Sequence, residues 1–228
     1  VFDNVKSQDF EMLAEERTPE QLKTDVLAKA KDADVVIFIG GLNHSLCQDT
    51  ENSDRKTLQL PYGQDELISA IADINPNLIV VNISGTPVLM PWADKVAAIV
   101  QDWYLGSEAG NSLADVLTGK VNPSGKLPFT FPKRIEDLPT NGERRYPGIR
   151  RADSDIYDIY YDEDILIGYR WYDYNGLPVL FPFGYGLSYT DFNIDKPVVT
   201  RTGIGYNLKM DVSNIGSTSG AETVQVYV

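Results

Sequence analysis

The sequence has few of the residue types and none of the long apolar runs on which several classes of protein depend. Cys47 is the single cysteine and His44 the single histidine among 228 residues. One cysteine excludes an internal disulfide framework and any site built from several thiolates. The longest apolar runs, such as residues 35–39 and 78–81, are far shorter than the roughly 20 residues of a membrane-spanning helix. We therefore expect no membrane insertion, no metal site and no cofactor.

Positive charge is also scarce. Lysine and arginine together number 20 against 33 aspartates and glutamates, which gives a formal net charge of −13. A surface this acidic repels the phosphates of nucleic acids and anionic lipids. We expect neither as a partner, and a neutral or cationic ligand fits the charge better.

Helix and strand patterns alternate from Thr18 onward. Thr18-Pro19-Glu20-Gln21 predicts the start of a helix with a capping box. The apolar residues expected on its buried face are Leu22, Val26, Leu27 and Ala30. Further helices are predicted at residues 64–74 and after Ser107, which is expected to cap the last one.

Three apolar runs are typical of strands, at residues 35–39, 78–83 and 97–100. The first run is apolar on both faces, which favours the interior of a parallel sheet that is covered by helices. Because strands and helices alternate, the fold class predicted is α/β, with an open, mainly parallel sheet sandwiched by helices.

The second half of the chain has a different composition. From about Asn122 it is rich in proline, glycine and aromatic residues, and many tyrosines lie between Tyr146 and Tyr189, which predicts a long, irregular excursion. After Asp191 apolar residues alternate with polar ones at 208–212 and again at 224–228. This alternation predicts an antiparallel hairpin that belongs to a partial β-sandwich.

The polar loop at residues 40–60 is the first place to look for a functional site. It follows the first predicted strand, and ligands of open parallel sheets bind beyond the carboxyl ends of the strands. The loop is rich in acids, although most loop carboxylates are simply solvated charges. Gly40-Gly41 lacks the glycine fingerprint of nucleotide-binding loops, which counts against a nucleotide-binding protein. The residues by themselves indicate an α/β domain with an acidic loop.

Several motifs along the chain share a family pattern. They are Asp49-Thr50-Glu51-Asn52-Ser53-Asp54-Arg55, Gly85-Thr86-Pro87-Val88, Trp103-Tyr104-Leu105-Gly106, Asn122-Pro123-Ser124-Gly125, Gly168-Tyr169-Arg170 and the stretch 181–190. In this order they resemble the second domain of glycoside hydrolase family 3, the β-glucosidase family. The resemblance implies that residues 1–190 form the α/β sandwich domain of that family with a truncated start. It also implies that residues 191–228 begin a fibronectin type III-like domain.

The resemblance further implies a retaining, exo-acting β-glycosidase of the β-glucosidase type that hydrolyses terminal β-linked sugars. Such enzymes use one carboxylate as nucleophile and one as acid/base. Carried over by position, the acid/base falls on Glu51, where the family has glycine in place of the following Asn52. The resemblance also implies that the nucleophile is an aspartate on an N-terminal (β/α)8 barrel outside this chain, so we expect the isolated chain to be inactive.

Other residues acquire expected roles from the same resemblance. Asp54 and Arg55 are expected to anchor the loop, and Asn43 and His44 to bind sugar hydroxyls. The large aromatic residues that could stack on sugar rings are Trp103, Tyr104, Trp171 and Tyr172. The implied substrate is a β-glucoside or an oligosaccharide, and the implied location is periplasmic or extracellular. The alternative is a catalytically inactive module that binds carbohydrate or another protein.

Overall fold

The computed structural model of the protein describes residues 17–51 and 53–227. The helices are α1 (Pro19–Asp32), α2 (Gln64–Ala72), α3 (Ala109–Leu117) and α4 (Tyr169–Asn175). The strands of the larger sheet are β1 (Val36–Gly41), β2 (Leu78–Ile83) and β3 (Ala98–Gln101). Short strands follow at β4 (Phe131–Pro132), β5 (Ile149–Arg150), β6 (Tyr157–Asp158), β7 (Val179–Phe181), β8 (Phe192–Ile194), β9 (Val198–Arg201), β10 (Tyr206–Lys209) and β11 (Val212–Asn214).

The chain forms two compact units that are interleaved along the sequence. The first contains the described residues up to Gly41, together with Pro61–Asn82 and Pro91–Val100. The second contains Leu42–Leu60, Ile83–Met90 and the described residues from Gln101 onward. The chain therefore enters the second unit three times, each time at the carboxyl end of a strand of the larger sheet.

The capping box predicted for α1 is confirmed. The Thr18 hydroxyl accepts a hydrogen bond from the Gln21 amide at 3.2 Å, and the Gln21 side chain accepts one from the Thr18 amide at 2.8 Å. The predicted apolar face is only partly correct, because Ala30 is buried whereas Val26 is 40% exposed. The buried end of α1 is the one where the Asn75 side chain donates to the Ala30 carbonyl at 2.8 Å.

The alternation of strands and helices produces the parallel three-stranded sheet that the sequence predicts, in the order β1-β2-β3. The central strand β2 supplies the core, since Leu78, Val80 and Val81 are almost fully buried. The prediction that both faces of β1 are buried is wrong, because Ile37 and Ile39 are 47% and 56% exposed. The reason is that β1 is an edge strand, and the described residues cover only one of its faces.

Helix α2 packs its apolar face as predicted but ends two residues earlier. Ile68 and Ile71 are buried, while Ile74 lies beyond the end of the helix and is 40% exposed. The buried Asp65 accepts a hydrogen bond at 2.8 Å from the indole of Trp92, which is fully buried. A charged residue in the first turn of α2 therefore fixes the largest side chain of this core.

In the second unit, α3 begins differently from the prediction. Ser107 does not cap it, because a 3-10 helix at Gly106–Glu108 precedes α3 and Glu108 occupies the N-cap position. The Glu108 carboxylate accepts a hydrogen bond from the Asn111 side chain at 2.6 Å and makes no capping bond to the helix backbone. Gly106 has a φ of 71°, a conformation that favours glycine and turns the chain into the 3-10 helix. The tyrosine-rich stretch at 146–189 is mostly irregular, as predicted, and contains α4 and the short strands β5, β6 and β7.

The predicted hairpin between residues 208–212 and 224–228 is wrong. β10 pairs instead with β9, with Leu208 opposite Val199, and β11 pairs with β8, with Ser213 opposite Asn193. The Thr202 amide donates to the Gly205 carbonyl at 2.8 Å, and this local turn brings β9 and β10 together. Residues 221–227 form no strand, and Val228 lies outside the described residues. The fibronectin type III-like character of 191–228 remains a prediction. Among the described helices, none combines the length and the apolar character needed to span a bilayer.

Candidate functional site

The three segments that follow β1, β2 and β3 meet within the second unit. The Leu42 amide donates to the Ile83 carbonyl at 2.7 Å, and the Leu89 amide donates to the Leu58 carbonyl at 2.8 Å. These backbone bonds fix the polar loop 42–60 against the segment 83–90 at both ends of the loop. The loop carries Asp49, Glu51 and Asp54, so these bonds decide which of its carboxylates come together with the neighbouring segments.

Asp49 joins all three segments through a single carboxylate. Its Oδ2 accepts hydrogen bonds from the Gly85 amide at 2.7 Å and from the Tyr104 hydroxyl at 2.9 Å. Its Oδ1 accepts one from the Thr86 hydroxyl at 2.7 Å. Three donors on a single carboxylate favour its ionised form.

The electrostatics of Asp49 follow from these contacts. Partial burial acts to raise the pKa of Asp49, but the hydrogen bonds from Thr86, Gly85 and Tyr104 and the charge of Arg55 outweigh it, and the pKa is lowered. Burial and the bond to the Asp49 carboxylate raise the pKa of Tyr104 to about 12. At neutral pH Asp49 is therefore a fixed anion, and Tyr104 keeps its proton.

Arg55 anchors the far part of the loop. Its guanidinium donates to the Thr86 hydroxyl at 3.0 Å and to the Pro87 carbonyl at 2.9 Å, and its Nε donates to the Thr57 carbonyl at 3.2 Å. Asp54 turns elsewhere and accepts a hydrogen bond from the Tyr146 hydroxyl. Within the part of the chain that the structure describes, no ion pair joins Asp54 to Arg55, so the two residues hold different segments.

Glu51, the predicted acid/base, is exposed in a turn of the same loop. His44 lies nearby, where its ring stacks on Tyr104 with centroids 5.2 Å apart and its Nδ1 lies 2.8 Å from the Asp49 carbonyl oxygen. Asn43 is exposed and its side chain accepts a hydrogen bond from the Ser45 amide at 2.7 Å. The side chain of Asn43 is thus used within the loop itself.

One open cavity of about 890 Å³ collects most of these residues. It is lined by the polar loop, by the turn at 85–86 and by residues from the distant segment 135–146. The predicted site residues among its walls are Glu51, His44, Asp54 and Arg55, whereas Asn43 does not line it. The other walls are Gln48, Asp49, Thr50, Ser53, Thr57, Leu58, Gly85, Thr86, Ile135, Leu138, Thr140 and Tyr146.

The large aromatic residues that could stack on sugar rings have other contacts. Trp103 packs edge-on against Phe129 at 5.4 Å, the Trp171 indole donates to the Asp137 carbonyl at 3.0 Å, and Tyr172 is buried. None of these three lines the cavity. Tyr104 reaches the site through its bond to Asp49, a role that the sequence analysis did not assign.

The chemistry of the cavity is that of hydroxyl recognition, and its walls include the exposed acids Glu51 and Asp54. Carboxylates and a guanidinium are among the groups that line it, and such groups can bind sugar hydroxyls through charge-assisted hydrogen bonds. Among residues 17–51 and 53–227, no group of three or more histidine, cysteine, aspartate or glutamate side chains is placed to hold a metal ion. The exposed Cys47 contacts the Ser53 hydroxyl at 3.4 Å.

Comparison with known proteins gives one consistent result. The family model described as the glycosyl hydrolase family 3 C-terminal domain matches residues 4–189. A β-glucosidase of Bacteroides ovatus is 47% identical over 219 residues, which is 92% of this chain and 28% of that protein. A probable β-glucosidase of Emericella nidulans is 44% identical over 223 residues, which is 94% of this chain and 25% of that protein.

Comparison with solved structures also finds β-glucosidases. A β-glucosidase from Streptomyces venezuelae in complex with D-glucose superposes with a TM-score of 0.79 at 39% identity, over 87% of this chain and 25% of that one. A β-glucosidase from Kluyveromyces marxianus in complex with glucose gives a TM-score of 0.79 at 36% identity, over 89% of this chain and 23% of that one. The chain therefore spans about a quarter of the length of these relatives.

Proposed function

Because this chain belongs to glycoside hydrolase family 3 and corresponds to its C-terminal domain, we propose that it supplies the general acid/base of a retaining, exo-acting β-glucosidase. In this proposal the acid/base is Glu51. The nucleophilic aspartate comes from a (β/α)8 barrel in another part of the full-length protein, which is needed for activity. The substrate is a terminal β-linked glucoside, and no cofactor takes part.

The observation that carries the proposal is the difference between Glu51 and its acidic neighbours. Asp49 is committed to three hydrogen-bond donors and Asp54 to the Tyr146 hydroxyl. Within the described residues, the carboxylate of Glu51 makes no hydrogen bond or ion pair, and Glu51 lines the cavity. Glu51 is therefore the carboxylate of the loop that is available to a substrate.

The roles of the neighbours follow from the reaction. In a retaining mechanism the acid donates its proton to the glycosidic oxygen as the nucleophile attacks the anomeric carbon, and it then takes a proton from the water that cleaves the glycosyl-enzyme. A general acid keeps its proton near neutral pH when it is buried or lies near another carboxylate. Asp49 supplies a nearby negative charge, and the barrel supplies the cover. Arg55 and Asp49 hold the loop in place for both steps.

The test uses the full-length enzyme with Glu51→Gln. We expect kcat/KM for an alkyl β-glucoside to fall by about 10²–10⁴, because a poor leaving group needs the proton. For a dinitrophenyl β-glucoside, whose leaving group needs no proton, kcat/KM should stay within about threefold. Glu51→Ala should in addition regain kcat with azide, which can attack the glycosyl-enzyme in place of activated water. Glu66→Gln on α2, where Glu66 is exposed, is the matched control and should behave as wild type.

Equal losses on the two substrates would remove Glu51 from this role. The chain of 228 residues should show no turnover by itself, and hydrolysis of an alkyl β-glucoside by the purified chain would contradict the need for a barrel. We also propose a periplasmic or extracellular location, which only the family resemblance supports. Recovery of the enzyme solely in the cytoplasmic fraction would argue against it.

A further inference from the structure

The side chain of Gln64 bonds to both ends of the polar loop 42–60. Its Oε1 accepts a hydrogen bond from the Gly41 amide at 2.7 Å, and its Nε2 donates to the Gly41 carbonyl at 2.9 Å. The same Nε2 donates to the Pro61 carbonyl at 3.0 Å. Gly41 is the last residue before the loop, and Pro61 is the first residue after it. One amide group therefore joins the two residues between which the loop runs.

The Gln64 amide is itself held in place within the first unit. Gln64 is the first residue of α2, whose Ile68 and Ile71 are buried in the core of that unit. The amide also packs closely on the backbone of β1, because a Cβ atom added to Gly40 would overlap Gln64 Oε1 and the Phe38 ring. The helix and the strand together thus fix the direction of the three bonds.

Glu51 lies about midway along the loop that these bonds close. Gln64 does not line the cavity, so it can affect a bound substrate only through the residues of the loop. A general acid must lie within hydrogen-bond distance of the glycosidic oxygen, and a displacement of about 1 Å can cost about 10² in rate. A change in the separation of Gly41 and Pro61 would displace the residues between them, including the acid.

From this we infer that Gln64 is a positioning residue, whose three bonds to Gly41 and Pro61 hold the loop in the conformation that presents Glu51 to the glycosidic oxygen. The inference rests on the proposed function and adds to it a residue outside the cavity on which proton donation depends. A role in stability alone would act differently, because it would lower the folded fraction and so affect all substrates equally.

The test uses Gln64→Met in the full-length enzyme, which keeps the approximate size of the side chain and removes all three bonds. We expect kcat/KM for an alkyl β-glucoside to fall by about 10–100-fold. For a dinitrophenyl β-glucoside, whose leaving group needs no proton, kcat/KM should stay within about threefold. Amide hydrogen exchange at Gly41 should be about fivefold faster or more, because its acceptor is lost.

A second variant and a control accompany this measurement. Gln64→Glu keeps the acceptor for the Gly41 amide but cannot donate to the two carbonyls, and we expect the same difference between the substrates. The control is Ile68→Val, which removes a methylene from a fully buried residue of the same helix. It weakens the packing of α2 and leaves the bonds of Gln64 in place, so the ratio of kcat/KM between the two substrates should stay within about twofold of wild type.

A double variant shows whether Gln64 acts through the acid. In Glu51→Gln the proton donor is already absent, so adding Gln64→Met should lower kcat/KM for the alkyl β-glucoside by less than about threefold further. A residue that acted on substrate binding or on stability would lower it by the same factor in both backgrounds.

The outcomes separate the inference from the proposed function. If Glu51→Gln distinguishes the two substrates but neither variant of Gln64 does, the positioning role is overturned and the acid/base role of Glu51 stands. A loss that persists undiminished in the Glu51→Gln background also overturns it, as does failure of both Gln64 variants to fold. If Glu51→Gln itself loses activity equally on the two substrates, the proposed function fails first, and the positioning role fails with it.

Discussion

Asp49→Asn tests whether one carboxylate holds the three segments of the site together. An asparagine oxygen at the Oδ2 position can still accept from Gly85 and Tyr104, and its NH2 group can donate to the Thr86 hydroxyl. The geometry is therefore retained and only the charge is lost. Each of the three bonds is worth about 1.5–3 kcal/mol with a charged acceptor and about 1 kcal/mol with a neutral one. Because Asp49 is partly exposed, solvent screens these interactions, and the summed loss of stabilisation is about 1.5 kcal/mol.

Amide hydrogen exchange at Gly85 is the most direct assay, because this N–H donates to Asp49 at 2.7 Å. A loss of about 1.5 kcal/mol corresponds to exchange about tenfold faster in the variant at neutral pH. The control is Asp94→Asn at an exposed position of the first unit, which should leave exchange at Gly85 unchanged.

The pH dependence of amide exchange provides a second check, because it shows whether the stabilisation comes from the charge of Asp49. The pKa of Asp49 is lowered from its ordinary value of 3.8, so its contribution is present above that value and is lost as pH falls through the lowered pKa. The ratio of exchange rates between variant and wild type should therefore shrink toward one in strong acid. A ratio near one at neutral pH, or a tenfold ratio that persists in strong acid, would refute the reasoning.

Two further predictions concern Tyr104 and the core of the first unit. Titration of tyrosinate absorbance should give Tyr104 a pKa of about 12. The stabilisation of the folded protein by neutral Tyr104 should therefore be lost as pH rises from 10 through 12. Asp49→Asn should move the pKa of Tyr104 back toward 10. Asp65→Leu leaves the buried indole N–H of Trp92 without its acceptor at 2.8 Å. It should cost about 2–3 kcal/mol in urea denaturation, whereas Asp65→Asn should cost about half as much, and equal losses would contradict this.

Local patterns predicted much of the fold. The capping box at Thr18 needs only neighbouring residues, and the three apolar strands are continuous runs, so both could be derived from sequence. Whether a strand is central or at the edge depends on residues far away in the chain, which is why the exposure of Ile37 and Ile39 was not predicted. The partner of β10 was missed for a similar reason, because alternation indicates a strand without indicating its partner.

In the candidate site, too, local motifs could be predicted from sequence whereas contacts between distant segments could not. The sequence singled out the polar loop and, through family motifs, predicted roles for Glu51 and Arg55, both of which line the cavity. It could not show that Asp49 receives three donors, since these come from the turn after β2 and from the segment after β3. Nor could it place Ile135 beside the loop, because contacts between such distant segments leave no periodic signal.

The interleaving of the two units has a consequence for how such a chain can be exchanged between proteins. Neither unit corresponds to one continuous stretch, since the chain crosses at Gly41, Asn82 and Val100 and returns at Pro61 and Pro91. A single recombination break within this region would join part of a unit from one parent protein to the rest of that same unit from the other parent. Gene shuffling should therefore tolerate crossovers poorly between residues 41 and 101, and chimaeras are best designed by inheriting that whole span from one parent.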